Sequence, residues 1–267
     1  MLYFVATPIG NLKDISYRAI EVLKEADEIG CEDTRHSQTL LSAYGIEKKC
    51  FSYHKFNEKE ISEKIILKLK EGKNIAIISD AGTPCVSDPG NILAQKLIEE
   101  GLAFTVIPGA CAFVSALVLS GLDSGRFCFL GFLPDKKSER KEFLSKYKNL
   151  DMTLIFYCAP HDIAKDIKDI YSVFGERTAV AVKEITKIHE KAERFSLKDG
   201  LSSEPKGEYV LLVEKGKAEN PLLTLSEKEH IGHYINLGYD KKEALKLAAK
   251  DRGVPKSSLY KYTIGEK

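Results

Sequence analysis

The most chemically dense stretch of this sequence is the short segment Cys31–His36. Glu32, Asp33, Arg35 and His36 place four titratable groups within five positions. A carboxylate or an imidazole can take a proton from a hydroxyl group that lies within hydrogen-bonding distance. The planar guanidinium of Arg35 suits a phosphate group. The segment is therefore a candidate for acid–base chemistry on a phosphorylated substrate, and the alternative is a solvated loop with an aspartate helix cap.

Three loops rich in glycine and proline each follow an apolar run that reads as a strand. They are Thr7–Asn11, Ser79–Gly90 and Pro108–Ala112. Glycine allows close approach of the backbone to a ligand, and ligands of open α/β sheets bind outside the carboxyl ends of strands. Ser79–Gly90 holds two carboxylates, two glycines and two prolines in twelve positions, more than a structural turn requires. For the other two loops, ordinary turns remain an alternative, and no dinucleotide or P-loop motif is present.

The first 120 residues alternate short apolar runs with amphipathic helical patterns, which predicts a mainly parallel α/β sheet. A polar segment without a predicted element follows Cys31. The predicted strands cover 2–6, 29–31, 50–53, 75–78 and 104–107, and the predicted helices cover 16–26, 60–71, 92–100 and 111–119.

A second α/β unit with more hairpin-like spacing begins after the turn-rich stretch Gly121–Gly125, so we expect mixed or antiparallel pairing there. Its predicted strands cover 127–132, 153–157, 178–182 and 208–213, and its predicted helices cover 136–148 and 162–174. A polar linker, 214–221, precedes a helical tail. The predicted domains are therefore 1–122, 123–217 and 221–267.

The tail is basic, although the whole chain is nearly neutral. From Asp240 to the end there are eight Lys or Arg and four Asp or Glu, a net charge of +4. Its pattern of helix, Gly-Val-Pro turn and helix resembles a helix-turn-helix module. Lys246, Lys250, Arg252 and Lys256 would meet phosphates, whose neutralisation supplies much of the sequence-independent affinity for nucleic acids. The alternative is a helical appendage that packs on the body or on a second copy.

Composition indicates a globular protein of the cytoplasm. The hydrophobic fraction is 43%, the charged fraction 30% and the formal charge +1. No apolar run approaches the roughly 20 residues that a membrane-spanning helix needs. The six cysteines lie 17 or more residues apart, mostly within apolar stretches, which favours buried free thiols over a disulfide framework or a zinc site. We expect neither membrane nor metal.

Five segments carry a specific resemblance to a known family. They are Thr7–Asn11, Glu32–His36, Ser79–Gly90, Phe127–Pro134 and Leu154–Tyr157. Together they resemble the bacterial ribosomal RNA small subunit methyltransferase I family, cytidine 2'-O-methyltransferases of 16S rRNA within the tetrapyrrole methylase superfamily. The resemblance runs from Met1 to about Gly216.

The resemblance implies a two-domain α/β methyltransferase that binds S-adenosylmethionine between its domains, without metal, and that forms a homodimer. It places cofactor contacts, position by position, on Pro8, Ala81, Gly82, Thr83, Val86, Cys111, Ala112, Tyr157 and Cys158, and we add Asp80 as a polar contact. For the proton of a ribose hydroxyl, we predict Asp33 first, His36 next and Glu32 third. Arg35 and Lys187 are predicted to contact RNA, although Lys187 also fits a solvated strand end.

The sequence departs from the wider superfamily in two loops. Where the superfamily commonly has Gly-x-Gly-Pro-Gly-Asp, this chain has Thr7–Asn11, and where Gly-Gly-Asp-Pro is frequent it has Ala81–Pro84. These departures weaken an assignment of tetrapyrrole chemistry, since those positions face substrate as well as cofactor. Two alternatives stay open: a tetrapyrrole C-methyltransferase, and a non-catalytic RNA-binding assembly factor on the same fold.

Overall fold

The computed structural model describes residues 1–216 and 221–262. These residues form two compact units, one comprising 1–148 and 152–215, the other comprising 149–151 and the described residues from Gly216 on. Part of the predicted linker 214–221 and the last five residues of the basic tail lie outside the described residues. The domain boundaries at 122 and 217 stay predictions.

The first half of the larger unit is a five-stranded parallel sheet in the order β3-β2-β4-β1-β5. Its strands are β1 (Leu2–Val5), β2 (Glu28–Cys31), β3 (Cys50–Ser52), β4 (Ile75–Ile78) and β5 (Phe104–Ile107). The helices in this half are α1 (Tyr17–Glu25), α2 (Thr34–Ala43), α3 (Glu58–Lys70), α4 (Asn91–Glu99) and α5 (Ala112–Ser120). The central strand β4 is buried along its whole length, as its run of apolar residues predicts. The predicted parallel sheet is confirmed.

A second five-stranded sheet, of mixed direction, follows in the order β6-β7-β10-β8-β9. Its strands are β6 (Phe127–Phe132), β7 (Thr153–Cys158), β8 (Thr178–Lys183), β9 (Lys191–Ser196) and β10 (Tyr209–Val213), and its helices are α6 (Lys137–Ser145) and α7 (Ile163–Phe174). β6 runs parallel to β7, whereas the other pairs are antiparallel. The expectation of mixed pairing in this half is therefore confirmed.

Two elements depart from the sequence-based prediction. The polar segment after Cys31 contains helix α2, in which only Ser37 and Leu41 are buried. With so few buried positions, the sequence shows no helical repeat of apolar residues. Strand β9 was missed because it lies at the edge of its sheet, where most of its residues stay at least partly exposed and the usual alternation is absent.

The smaller unit is helical. Its helices are α8 (Glu227–Asn236), which starts in a capping box at Ser226 and Glu229, and α9 (Lys241–Arg252), with a final 3-10 helix at Lys256–Tyr262. The last predicted helix is thus a tighter 3-10 segment. The unit has its own apolar core, formed by Ile231, Ala244, Leu245, Ala248, Ala249 and Leu259. Within the described parts of the chain, no helix is both long and apolar enough to cross a membrane.

Candidate active site

The three loops that the sequence singles out are joined to one another by hydrogen bonds. Thr7 and Gly82 form an antiparallel bridge, in which the Thr7 amide donates to the Gly82 carbonyl at 2.8 Å and the Gly82 amide donates to the Thr7 carbonyl at 3.1 Å. The Thr83 hydroxyl donates to the carbonyl of Ala110 in the third loop at 3.3 Å. Because these loops all follow strands of one parallel sheet, they meet at its carboxyl edge.

These loops and the second sheet enclose a cavity of about 460 Å³. This volume lies within the range of roughly 300–1,000 Å³ that is usual for small-molecule sites. Residues from the first half of the unit that line it include Ile9, Glu32, Asp80, Ala81, Gly82, Thr83, Val86, Ser87, Asp88, Cys111 and Ala112. From the second half come Phe132, Tyr157, Cys158, Ala159, Pro160, Val182, Glu184, Ile185, Lys187, Glu208, Tyr209 and Val210.

Nine of the ten predicted cofactor residues line this cavity: Asp80, Ala81, Gly82, Thr83, Val86, Cys111, Ala112, Tyr157 and Cys158. The tenth, Pro8, is buried beside the lining residue Ile9. The structure therefore brings together predicted residues that are as distant in the sequence as Asp80 and Cys158.

Backbone strain is concentrated at the cavity. Among the described residues, the non-glycine residues with positive φ are Cys85 at 71°, Ser87 at 66°, Glu184 at 50° and Thr186 at 67°. Ser87 and Glu184 line the cavity, and the other two lie within two positions of them. Such conformations cost on the order of 1–3 kcal/mol each and cluster at functional sites.

Sequence reasoning missed the group that supports the end of the long loop, the carboxylate of Glu58. Its Oε1 accepts hydrogen bonds from the Tyr53 hydroxyl at 3.1 Å and from the backbone amides of Gly90 and Ile92 at 2.8 and 3.0 Å. The residue is only 7% exposed, although glutamate side chains usually lie at the surface. A helical position with no nearby motif gives no sequence signal for this role.

Three carboxylates, those of Glu32, Asp80 and Asp88, line the same part of the cavity. Burial and the charge of Asp80 raise the pKa of Glu32. Burial, followed by the charges of Glu32 and Asp80, raises the pKa of Asp88 to about 7, although the nearby Ser79 side chain acts in the opposite direction. Like charges in a partly buried site cannot all ionise easily. The cluster can therefore hold or release a proton near neutral pH.

The other predicted acid–base residues have different surroundings. Asp33 caps helix α2, since its Oδ1 accepts from the amides of Arg35 at 2.8 Å and His36 at 3.4 Å. These bonds lower the pKa of Asp33, which makes its carboxylate a weaker proton acceptor. The Arg35 side chain is 93% exposed, which leaves its guanidinium accessible to solvent. Asp33 and His36 lie outside the set of described residues that line the cavity, and Glu32 lies within it.

Lys187 lies at the cavity with two acidic neighbours. Its Nζ is 3.1 Å from Glu184 and 3.4 Å from Glu208, and all three residues line the cavity. Burial opposes the charge, but the bond with Glu184 and the charge of Glu208 outweigh it and raise the pKa of Lys187. Lys187 is therefore a cation at neutral pH and a poor base.

The predicted RNA contacts in the helical unit are of two kinds. Lys246 and Lys250 are exposed, and Lys256 lies half-exposed with its Nζ 5.8 Å from the ring centre of Tyr260. Arg252 is instead bound inside the unit, since its Nε donates to His230 Nδ1 at 3.1 Å and its Nη2 donates to the Leu225 carbonyl. Arg252 therefore supports the helix packing, which reduces its availability for phosphate.

The described residues contain no group of three or more His, Cys, Asp or Glu side chains arranged to hold a metal ion.

Comparison with known proteins agrees with this arrangement. Residues 1–199 match the model of the "Tetrapyrrole (Corrin/Porphyrin) Methylases", so the chain belongs to this methyltransferase family. A solved diphthine synthase is 18% identical with a TM-score of 0.65, covering 80% of this chain and 89% of its own. A uroporphyrin-III-C-methyltransferase from Thermus thermophilus is 20% identical with a TM-score of 0.56, covering 81% and 94%. At such identity, these structures show a shared fold.

Curated relatives narrow the family further. Proteins named ribosomal RNA small subunit methyltransferase I match over nearly the whole chain: that of Halalkalibacterium halodurans is 44% identical, covering 97% of this chain and 93% of its own. Those of Bacillus subtilis and Escherichia coli O157:H7 are each 41% identical, covering 97% and 98% of this chain and 92% and 94% of their own. The chain belongs to this family.

Proposed function

We propose that this protein transfers a methyl group from S-adenosylmethionine to the ribose 2'-hydroxyl of a cytidine in the 16S rRNA of the small ribosomal subunit. The observation that carries the proposal is the cavity at the carboxyl edge of the first sheet, lined by nine of the ten residues expected to contact the cofactor. The names of the curated relatives support ribosomal RNA as the substrate.

The cavity fits S-adenosylmethionine in size and chemistry. At about 460 Å³, with both apolar and carboxylate walls, it suits a ligand with a flat base, hydroxyl groups and a positive charge. A Cβ atom built on Gly82 would lie at ordinary contact distances, 3.4 Å from Ile9 Cγ2 and 3.7 Å from the Ala110 carbonyl oxygen, so only the further atoms of a larger side chain would occupy the space beside Ile9. When bound, the cofactor supplies a methyl group on a sulfonium centre.

The protein's own contribution is positioning and proton removal. A ribose hydroxyl is a weak nucleophile until its proton is accepted by a neighbouring base. Of the three predicted bases, only Glu32 is among the described residues that line the cavity. This supports proton removal by a member of the carboxylate cluster and not by Asp33 or His36. Holding the hydroxyl in line with the methyl group can itself supply a large part of the rate enhancement.

Capture of the RNA is proposed to use exposed cations. Arg35, three positions after the cavity residue Glu32, and Lys246, Lys250 and Lys256 in the helical unit are suited to backbone phosphates. Lys187 is suited to a phosphate or hydroxyl near the reacting ribose. Arg252 is a weaker candidate because its guanidinium is already hydrogen-bonded to His230 and Leu225.

We further propose that the protein acts as a homodimer in the cytoplasm, where ribosomal RNA is found. An exposed apolar surface supports the dimer. Apolar side chains are exposed on edge strands β5 and β6 and on helix α5, namely Val106, Val114, Val118, Leu119 and Phe127, each at least 42% exposed. Apolar surface of this kind marks interaction sites. Val118 is the most exposed of these residues, at 75%. The substitution Val118→Glu should separate the dimer, so the molecular mass measured by sedimentation should fall to half that of the wild-type protein.

Ribose methylation mapped in a deletion strain tests the proposed function. A strain lacking this protein should lack one 2'-O-methylcytidine in 16S rRNA, and adding the gene back should restore it. An unchanged methylation map would refute the proposal. A non-catalytic assembly factor predicts no binding of S-adenosylmethionine, which calorimetric titration of the purified protein decides separately.

A further inference from the structure

Asp88 is a carboxylate of the cavity for which the sequence analysis gave no role. It lines the cavity together with Glu32 and Asp80, and the residue is half-buried. Asp80 is also tied to the neighbouring loop, because its Oδ1 accepts a hydrogen bond from the Asp33 amide at 3.3 Å. Glu32 accepts a hydrogen bond from the backbone of Asp80. Asp88 is thus the member of the cluster not engaged in joining these two loops.

The backbone around Asp88 is fixed from both sides. On one side, Ser87 has a positive φ of 66°, and the Ser79 hydroxyl donates to the Gly82 carbonyl at 3.1 Å, which closes the start of the loop. On the other side, Gly90 donates to the buried Glu58 carboxylate at 2.8 Å. A Cβ on Gly90 would clash with Cys85 Sγ, so the loop packs tightly on itself. Asp88 is therefore carried by a preorganised backbone.

We propose that Asp88 is a catalytic residue that accepts the proton of the ribose 2'-hydroxyl during methyl transfer; this inference rests on the proposed function. In the step, the O–H bond breaks and its proton passes to a carboxylate oxygen of Asp88. The ribose oxygen forms a bond to the methyl carbon, and the carbon–sulfur bond breaks with its electron pair left on sulfur. A sulfonium and a carboxylate thereby become a neutral thioether and a neutral carboxylic acid.

The proton affinity of Asp88 matches this role. An acceptor works best when its pKa is close to the operating pH, and burial with the charges of Glu32 and Asp80 raises the pKa of Asp88 to about 7. Asp33, in contrast, has its pKa lowered by the amides that it caps. Other titratable or charged groups share the cavity or act on Asp88: Glu32, Asp80, Cys85, Cys111, Tyr157, Cys158, Glu184, Lys187, Glu208 and Tyr209.

Single-turnover methylation of small subunits from a deletion strain, measured between pH 5.5 and 9, tests the proposal. The wild-type rate should rise with pH and level off above about 7. Asp88→Asn should lower the plateau by 10²–10⁴-fold, a typical general-base loss, while affinity for S-adenosylmethionine stays within about threefold. Asp88→Glu should recover part of the rate. Asp199→Asn makes the same chemical change on an exposed turn and serves as the matched control.

The pH dependence of the rate in Glu32→Gln distinguishes a catalytic Asp88 from one that only supports the structure. Removing the Glu32 charge should lower the pKa of Asp88, so the acid limb of the rate profile should shift to lower pH. If Asp88→Asn keeps the wild-type rate and profile, or if Glu32→Gln leaves the acid limb unmoved, the assignment of Asp88 is wrong. If wild-type protein itself does not methylate the subunits, the proposed function fails instead.

Thermal unfolding provides a measurement independent of activity. Because the pKa of Asp88 is raised in the folded state, its contribution to stability is present at low pH and is lost as pH rises through about 7. Asparagine cannot ionise, so the melting temperature of Asp88→Asn minus that of wild type should increase from pH 5 to pH 8. A difference that does not change over this range would contradict a carboxyl group with raised proton affinity.

Discussion

The Oε1 atom of Glu58, at the start of α3, lies 2.8 Å from the backbone nitrogen of Gly90, the last residue of the longest cavity loop. The same oxygen accepts from Ile92 and Tyr53. Hydrogen bonds to a charged acceptor are roughly twice as strong as those between neutral groups. This one carboxylate therefore connects a helix behind the sheet to the loop that carries Asp80, Gly82 and Asp88.

Glu58→Ala should destabilise the protein and weaken cofactor binding together. The change leaves buried donors without a partner, at about 1–3 kcal/mol for each group, so we expect unfolding free energy to fall by at least about 2 kcal/mol. Denaturant unfolding and calorimetric titration with S-adenosylmethionine measure both effects. Glu60→Ala, on the same helix with a side chain 71% exposed, is the control and should change neither. Equal behaviour of the two variants would show that Glu58 does not support the loop.

Gly82→Val should block the cavity. The branched side chain would project toward Ile9, so affinity for S-adenosylmethionine should fall by at least about tenfold, or 1.4 kcal/mol. Backbone strain is a separate effect, because Gly82 has a φ of 85°. Gly72→Val is the matched control: Gly72 has a φ of 88°, and a Cβ there meets no described atom within 4 Å. It should lose stability but keep cofactor affinity. Equal affinities in the two variants would move the cofactor away from this loop.

Replacing Lys246 and Lys250 together by glutamine should weaken binding to the small ribosomal subunit. Both lysines are exposed and lie four residues apart on α9. Each lost phosphate contact should reduce the slope of log affinity against log salt by about 1. The control replaces the exposed Lys24 and Lys198. If the salt slope of the Lys246 and Lys250 variant equals that of wild type, the helical unit does not capture RNA through these residues.

His230→Ala should unfold the helical unit locally. His230 is fully buried, with Nε2 3.0 Å from Asp251 and Nδ1 accepting from Arg252. Its removal creates a cavity and takes one hydrogen-bonding partner each from Asp251 and Arg252, which typically costs several kcal/mol. Hydrogen exchange should show faster exchange across α8 and α9. His233→Ala is the control, because His233 lies on the same helix and is exposed. If hydrogen exchange in α8 and α9 is no faster in His230→Ala than in the wild-type protein, the hydrogen bonds of His230 are not needed to hold the helical unit together.

Much of the site was open to prediction because loops after parallel strands must meet at one edge. The apolar runs at Leu2–Val5 and Ile75–Ile78 indicated those strands. Nine of the ten residues that the loops and the family resemblance suggested as cofactor contacts line the cavity, and their contact with the cofactor stays a prediction. Glu58 and Asp88 are different. Their roles depend on which groups surround them after folding, so neither residue type nor spacing could distinguish them from solvated carboxylates.

The preference for Asp33 as base shows the same limit. In the sequence it shares a dense reactive segment with Glu32, and nothing separates the two. In the structure Asp33 serves as the cap of α2, while Glu32 lines the cavity. The choice among the carboxylates stays a prediction until the variants are measured. Helix α2 was hidden from prediction because its polar residues mask the two positions that are buried.

The most direct measurement is the alkali stability of the methylated product. Small subunits from a deletion strain are incubated with the purified protein and S-adenosylmethionine labelled in the methyl group, and the 16S rRNA is then hydrolysed in alkali. A 2'-O-methyl group removes the hydroxyl that cleaves the adjacent phosphodiester, so the account predicts one labelled, alkali-resistant dinucleotide that contains cytidine. With Gly82→Val and cofactor below saturation, this product should form more slowly. Label released in mononucleotides, or no label in the RNA at all, would contradict it.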